Sequence, residues 1–498
     1  MFAQAGFCLG TGGDGMSVER AHRAWAWVTG LMVSLGCVAV VASLFLPVLR
    51  DEGGYLFIAD RVAHGAVYAR DYFEWKTPLF FYLVAWLFRI TGTSVFAARL
   101  AMLGCVAASA WLITGAARSA GIRPRWRAGA VALFLLLVPP FYSSHALTEV
   151  PVMVCSIGLA VLLLRGEAPH PVGTWVSAGL IIGVAASAKQ VGAFLLPAAV
   201  IWLWVENRRS GVDVRSLIVR AAALSAAFAV PLAAWALYYL VIGAFPEFLY
   251  AAWSVAASYR GFGFVDWVLN TARSVVLRGL IIWVPLAAGV PVVLWRYLRR
   301  SEYRVEALLS LIVVFSLIPI LKRPYEHYIT AFLPVACLLA VCVVRDSLRR
   351  YSGRQLIAAL AILSLGTVRH YATYVIPPLV RGEYFQQKAV GERIASYLLP
   401  GEPLYVLGGE PKYYVFGGHF HTDEVVFVIK DWEHLRPPQA VWDIIMNTPG
   451  LAHVLVVEGD LSVVGPVVEA VREEGQHLFT RRVGELETVS LYRICSTP

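Results

Sequence analysis

Residues 49–79 read LRDEGGYLFIADRVAHGAVYARDYFEWKTPL and place Asp51, Glu52, Arg70, Asp71, Glu74 and Lys76 in one short stretch beside long apolar runs. A carboxylate there can take a proton from an attacking hydroxyl, and an ammonium or guanidinium can balance negative charge growing on a phosphate. The plain alternative is that such charges only mark the hydrated end of a membrane helix. That alternative must also account for an acid pair and a basic pair set among two amphipathic segments.

The elements that would hold these groups follow from the spacing. Tyr55, Leu56, Ile58, Ala59, Val62 and Ala63 share one helical face, while Asp60, Arg61 and His64 share the other, and Gly65 suits a C-terminal cap. The pattern predicts an amphipathic helix lying in the membrane interface. Asp51 and Glu52 fall at its N-terminal end, where the helix dipole favours negative charge. The following RDYFEWKTPLFFYLVAWLF returns to the interface, with Tyr72, Phe73 and Trp75 as interfacial aromatics.

The whole chain sets this stretch in a membrane. Of 498 residues, 58% are hydrophobic and only 15% charged, against about a quarter charged in soluble domains. The net charge of +9 does not point to nucleic acid, because the basic residues are spread over many short loops. About eleven spans are expected, near 25–48, 98–118, 128–147, 149–165, 173–188, 190–205, 217–243, 275–297, 305–321, 328–344 and 355–376. The arginine-rich loops RSAGIRPRWR, ENRRSGVDVR, WRYLRRSEYR and VRDSLRRYSGR alternate with the others, so they belong in the cytoplasm. The N-terminus is then inside. The acidic loop after the first span lies outside, with Glu149, Lys189, LKRPYEHY and the C-terminal tail. The first apolar run is too long for a signal-peptide core and reads as a retained anchor. Residues 1–15 read as unstructured, and Met16 is a second candidate start.

The expected organisation is a cytoplasmic tail over 1–24, a membrane domain over 25–376 with its first outer loop at 49–97, and an outer domain over 377–498. In that last part GERIASYL and VGPVVEAVREEG read as helices, and PLYVLGG, HVLVVEGD and TVSLYRI as strands. The mixture predicts a small α/β domain. The seven cysteines (Cys8, Cys37, Cys105, Cys155, Cys337, Cys342 and Cys495) form no C-x-x-C pair and mostly lie in apolar runs, so neither a disulfide framework nor a zinc signature is present.

Three segments in order, DEGGYLFIA, HGAVYARDYFEWKTPLFFYL and TGTSVFAARL, resemble the first outer loop of the GT-C glycosyltransferases, in particular the protein mannosyltransferase and aminoarabinose-transferase-like group, glycosyltransferase family 39. The likeness is dense over residues 50–100 and continues more loosely in GVAASAKQVGAFLLPA, KRPYEHYITAFLPVACLLA and PLYVLGGEPKYYVFGG. Thr77 departs from it, since the group usually has proline there. The resemblance implies a polytopic enzyme of GT-C type that takes a sugar from a polyprenyl-phosphate donor and passes it to a protein, lipid or glycan acceptor outside the cytoplasm. No nucleic acid and no cofactor enter this reading, and a divalent metal stays open. A bacterial cytoplasmic membrane is the expected location.

On that reading Asp51 is the expected general base and Glu52 orients the acceptor or the base. A lipid phosphate leaves without a general acid but needs cations. Arg70 and Lys76 are the local candidates, with Lys189, Lys322, Arg323, His327 and Tyr328 from other outer helix ends. Snorkelling to the interface is the competing explanation for the lysines and Arg323. The aromatic stretch FPEFLYAAWSVAASYRGFGFVDW reads as an interfacial belt, with Arg260 in reach of a phosphate if the loop covers the site. Glu149 either touches the sugar or favours a helix N-terminus. His419, His421, Asp423 and Glu424 in GGHFHTDE read as a polar loop, because zinc needs a fuller ligand set. An activated hydroxyl displacing the phosphate once would invert the anomeric centre. The rival is a transporter or flippase of lipid-linked sugars, which would place its charges at the midplane among repeated, broken helices.

Overall fold

Each apolar run satisfies its backbone polar groups within itself, as a chain in lipid must, and so becomes a helix. The computed structural model describes residues 15–494 except 73, 167, 255–262, 301–302, 348–352, 400–401, 409, 419–437, 449–450, 459–464 and 485–486. The membrane part comprises α1 Gly15–Ala42, α2 Arg50–Ala63, α3 Leu79–Thr91, α4 Val95–Ser119, α5 Pro124–Leu137, α6 Glu149–Leu164, α7 Val172–Ala188, α8 Leu195–Arg209 and α9 Val214–Val241. It continues with α10 Leu280–Arg300, α11 Arg304–Ser316, α12 Leu333–Ser347 and α13 Gly353–His370.

All eleven expected spans fall on helices, but they are not equal. Among the described residues seven helices are long and apolar enough to cross a membrane, and three more, Leu79–Thr91, Glu149–Leu164 and Val172–Ala188, are apolar but shorter. The expected span at 128–147 is cut short. Its helix ends at Leu137, because Pro139 and Pro140 remove backbone donors and clash with the preceding turn. The chain then runs irregularly to Thr148 and is buried along most of that length.

The helix expected to lie half-exposed in the interface differs more. α2 is buried from Glu52 to Asp60 and again at Val62, on both faces. On its polar face Asp60 is covered, paired with Arg61 and with the Thr93 hydroxyl, while His64 at the helix end stays exposed. A helix of the C-terminal part lies against it at Gly53, where a Cβ would sit 2.7 Å from the Lys412 backbone nitrogen, so only glycine permits the approach. Gly65, just past the helix end, takes φ +104°, a conformation that favours glycine.

The C-terminal part contains α14 Glu383–Ala395, α15 Lys412–Gly417, α16 Pro438–Asn447 and α17 Gly465–Glu474. They pack around β1 Leu404–Leu407, β2 His453–Glu458, β3 Gly475–Val483 and β4 Glu487–Ile494. The sheet order is β1-β2-β4-β3, with β1 parallel to β2 and the other pairings antiparallel. Three of these strands coincide with the runs read as strands above. β3 was not expected, since its edge position leaves GQHLFTRRV mostly exposed and without a clear apolar alternation.

Candidate active site

Two neighbouring acids begin α2. Glu52 turns inward to Arg99, the one charged side chain in the body of α4 before its last turn. Arg99 Nε donates to Glu52 Oε1 at 2.8 Å and Nη2 to Oε2 at 2.6 Å. The rest of the guanidinium donates to the carbonyls of Leu44, Leu46 and Pro47 at 2.8, 2.6 and 3.1 Å, so all of its donors are used. Ala146 N–H donates to Glu52 Oε1 at 3.0 Å. Both partners are fully buried. Burial opposes ionisation of Glu52, but the Arg99 and His145 charges and these hydrogen bonds outweigh it and bring the carboxyl down to about 2. Burial in turn takes the adjacent His145 down to about 4, with Glu52 opposing, so it is neutral at pH 7.

Asp51 is different. It is half-buried, and it has no hydrogen bond or ion pair to any described residue. Its charge acts on Tyr55, Glu74, Lys189, His327 and Tyr328, which places it at the edge of a polar cluster drawn from three separate parts of the chain.

The first part is the turn after α2. The Tyr68 hydroxyl donates toward the carbonyls of Glu74 and Lys76, at 2.7 Å for Lys76, and accepts from the Lys76 N–H at 3.3 Å. Held in this way, Lys76 Nζ lies 3.2 Å from Glu74 Oε1, 3.3 Å from the Trp75 ring centroid and 5.7 Å from that of Tyr55. Burial pushes the Glu74 carboxyl above the ordinary carboxylate range, against the pull of Lys76. Thr77, at the position where proline is usual, is buried with its hydroxyl unpaired among the described residues.

The second part is a break in the helical chain. α7 stops at Ala188, Lys189 is extended at φ −158°, and a tight 3-10 turn Gln190–Phe194 follows. Gly192 lets that turn press on α7, since a Cβ there would stand 2.4 Å from the Ala185 carbonyl carbon. Gln190 Nε2 ties it to the Trp75 carbonyl at 3.0 Å and the Ala252 carbonyl at 2.9 Å. Lys189 pairs with Glu149 and stands 4.3 Å over the Tyr328 ring. Burial brings the Lys189 ammonium down to about 8, with Glu149 opposing.

The third part is the turn before α12. His327 Nε2 lies 3.4 Å from Glu149 Oε1, and its ring meets Tyr328 edge-on at 4.9 Å. Arg323 is buried close by, with Nη1 donating to the Tyr325 hydroxyl at 2.9 Å.

The structure therefore brings together Asp51, Lys76, Lys189, His327 and Tyr328, with Arg323 at the margin. Glu52 stands outside the cluster, its oxygens occupied by Arg99 and Ala146, which leaves it no face for an acceptor. Arg70 is 46% exposed, bound to Asp71 at 2.7 Å, with Tyr82 and Tyr238 rather than the cluster as neighbours. Lys322 is exposed. Arg260 and the GGHFHTDE histidines and acids lie outside the described residues. Among the described residues no three His, Cys, Asp or Glu side chains meet as a metal site. The sequence reading missed Arg99 and gave Glu74 no role. A lone arginine inside an apolar helix was the available signal for the first, since such a charge needs a buried partner.

The family described as dolichyl-phosphate-mannose-protein mannosyltransferase matches residues 75–235. The crystal structure of ArnT from Cupriavidus metallidurans bound to undecaprenyl phosphate is similar with a TM-score of 0.61 and 18% identity, over 94% of this chain and 98% of that one. The chain has the GT-C glycosyltransferase fold. The apo form of the same ArnT gives 0.60 and 18% over the same shares. The apo oligosaccharyltransferase of Archaeoglobus fulgidus gives 0.51 and 13%, over 85% of this chain and 69% of that one. No curated protein matches the sequence. The family match starts at Trp75, so within this GT-C fold it includes Lys76, Glu149 and Lys189 and leaves out the acid pair of α2.

Proposed function

We propose that this protein is a membrane glycosyltransferase that moves a sugar from a polyprenyl-phosphate donor to a hydroxyl of a protein, lipid or glycan on the extracytoplasmic face. The observation that carries the reading is Asp51: a half-buried carboxylate with no partner among the described residues, beside buried cations. The acceptor oxygen forms a bond to the anomeric carbon as the carbon–oxygen bond to phosphate breaks. Asp51 takes the acceptor proton, and the electron pair leaves with the phosphate. One displacement of this kind inverts the anomeric centre. Lys189 and Lys76 are set to balance the departing charge, with Arg323, His327 and Tyr328 as further donors. Each cation is partnered by a carboxylate or a ring, so the lipid phosphate would compete for lysines that are already held in position.

Undecaprenyl phosphate in the similar ArnT structure supports a polyprenyl carrier here. The arginine-rich loops support a cytoplasmic N-terminus and an extracytoplasmic outer domain, in a bacterial cytoplasmic membrane. Purified protein in proteoliposomes, offered undecaprenyl phosphates carrying different hexoses and pentoses, should release free undecaprenyl phosphate from one of them in the presence of membrane extract. Asp51→Asn should not. Release at equal rates by both proteins, or from none of the donors, would overturn the reading.

A further inference from the structure

Away from the cluster, α14 and the edge strand β3 enclose a groove of about 790 Å³. Its lining includes Arg381, Arg393 and Arg481 and contains no Asp or Glu. Glu383, outside the lining, pairs with Arg381 at 2.7 Å. Arg393 spreads over the Phe479 ring at 5.6 Å and reaches the Tyr397 hydroxyl at 3.3 Å, and Arg481 is exposed. Arg393, set against the Tyr397 and Phe479 rings and with donors unpaired among the described residues, is suited to a phosphate oxygen.

The groove stands at the membrane surface. α14 rests on the outer ends of α1 and α4: Phe385 stacks on Phe45 at 5.9 Å, Phe45 meets Phe96 at 6.0 Å, and the Val48 N–H donates to Gln387 Oε1 at 2.8 Å. On the approach to it Ile376, Val380 and Phe385 are 51, 80 and 56% exposed, an apolar row of the kind that dips into acyl chains. The arginines come from three elements: Arg381 ends the short helix Ile376–Arg381, Arg393 lies on α14 beyond the Gly382 break, and Arg481 lies on β3.

We propose that this groove holds the phosphate headgroup of an anionic lipid from the leaflet on the outer-domain side, between Arg393 and Arg481, with Val380 and Phe385 against its acyl chains. The charge is complementary, and the apolar row beneath it favours a lipid over a free anion. This site is independent of the transferase reading.

The test uses the full-length protein in nanodiscs of phosphatidylcholine with a minor share of phosphatidylglycerol. Native mass spectrometry counts the retained lipids. The parent should hold phosphatidylglycerol in preference to phosphatidylcholine. Arg393→Gln with Arg481→Gln should lower that preference by about fivefold per arginine, and the paired Lys variants should keep most of it. Thermal unfolding checks that the variants are folded. If the double Gln variant does not fold, Val380→Ser, at an exposed position, should still reduce retention. Equal retention by parent and Gln or Ser variants would overturn the proposal. So would displacement of the lipid by glycerol 3-phosphate at matched concentration, which would assign the groove to a soluble phosphate.

Discussion

Asp51 and Glu52 are consecutive on the first turn of α2, about 100° apart around the helix. One turns into a sealed ion pair, and the other looks out on a polar cluster without a bond of its own among the described residues. The contrast separates two uses of a buried charge. Glu52 has every oxygen engaged and has been brought down to about 2, so it is spent as a fixed charge that sets where the helix starts. Asp51 inherits that position while keeping its lone pairs. The proposed base must be both placed and unoccupied, and here the two requirements fall on adjacent residues.

Breaking the open side should have the largest effect. Asp51→Asn keeps the shape but cannot take a proton, so turnover should fall by about 10²–10⁴-fold while unfolding and undecaprenyl phosphate binding stay near the parent's. Single-turnover release of the carrier measures it. A fall below tenfold would remove Asp51 from the base role.

Breaking the sealed side should unfold rather than inactivate. Glu52→Gln strands Arg99 in the interior, and losing one partner of a buried pair costs about 3–5 kcal/mol. The thermal midpoint should drop, and the remaining folded fraction should keep more activity per molecule than Asp51→Asn. The pair also carries a pH signature. Glu52 in the folded protein lies below its ordinary 4.5, so its stabilisation is full above that value and is lost as the pH falls towards about 2. Acid unfolding of the parent should therefore be steeper than that of the Gln variant.

Lys189 sharpens the comparison on the cationic side. At about 8 it is charged at pH 7 and loses its proton as the pH rises. The ratio kcat/KM should fall by about tenfold per pH unit above that point, and Lys189→Arg should abolish this alkaline limb. An unchanged limb would assign it to another group. The smallest effect belongs to Arg70, which is exposed and bound to its neighbour. Arg70→Ala should leave donor affinity within about twofold, measured by titration with undecaprenyl phosphate.

Much of this arrangement is legible in the sequence, and the reasons differ by element. Spans, strands β1, β2 and β4, and the helix over Gly465–Glu474 follow from periodicity, which is local. Lys189 and His327 stood out as polar residues at outer helix ends, so their membership of one cluster needed only a consistent orientation of the helices. The ion pair of Glu52 is hidden because its partner is 47 residues away, and nothing near it in the chain reveals a guanidinium. The enclosure of α2 was hidden for a similar reason. Its covering helix begins at Lys412, and the amphipathic pattern of α2 reads the same whether its polar face meets water or another domain.

The distance in sequence between Glu52 and Arg99 also bears on how the protein is made. Chains emerge N-terminus first and fold as they are synthesised. When Glu52 is added to the chain, the arginine that will neutralise it is still 47 residues from being translated. An unpaired carboxylate resists entering a dry interior, so the acid pair must wait in water until α4 is inserted. Arrival of Arg99 then draws in Glu52 and the carbonyls of Leu44, Leu46 and Pro47 together, closing the exit from the first helix. The unpaired carboxylate next door is thus set in position by the order of synthesis, and only after the second long helix is in the membrane.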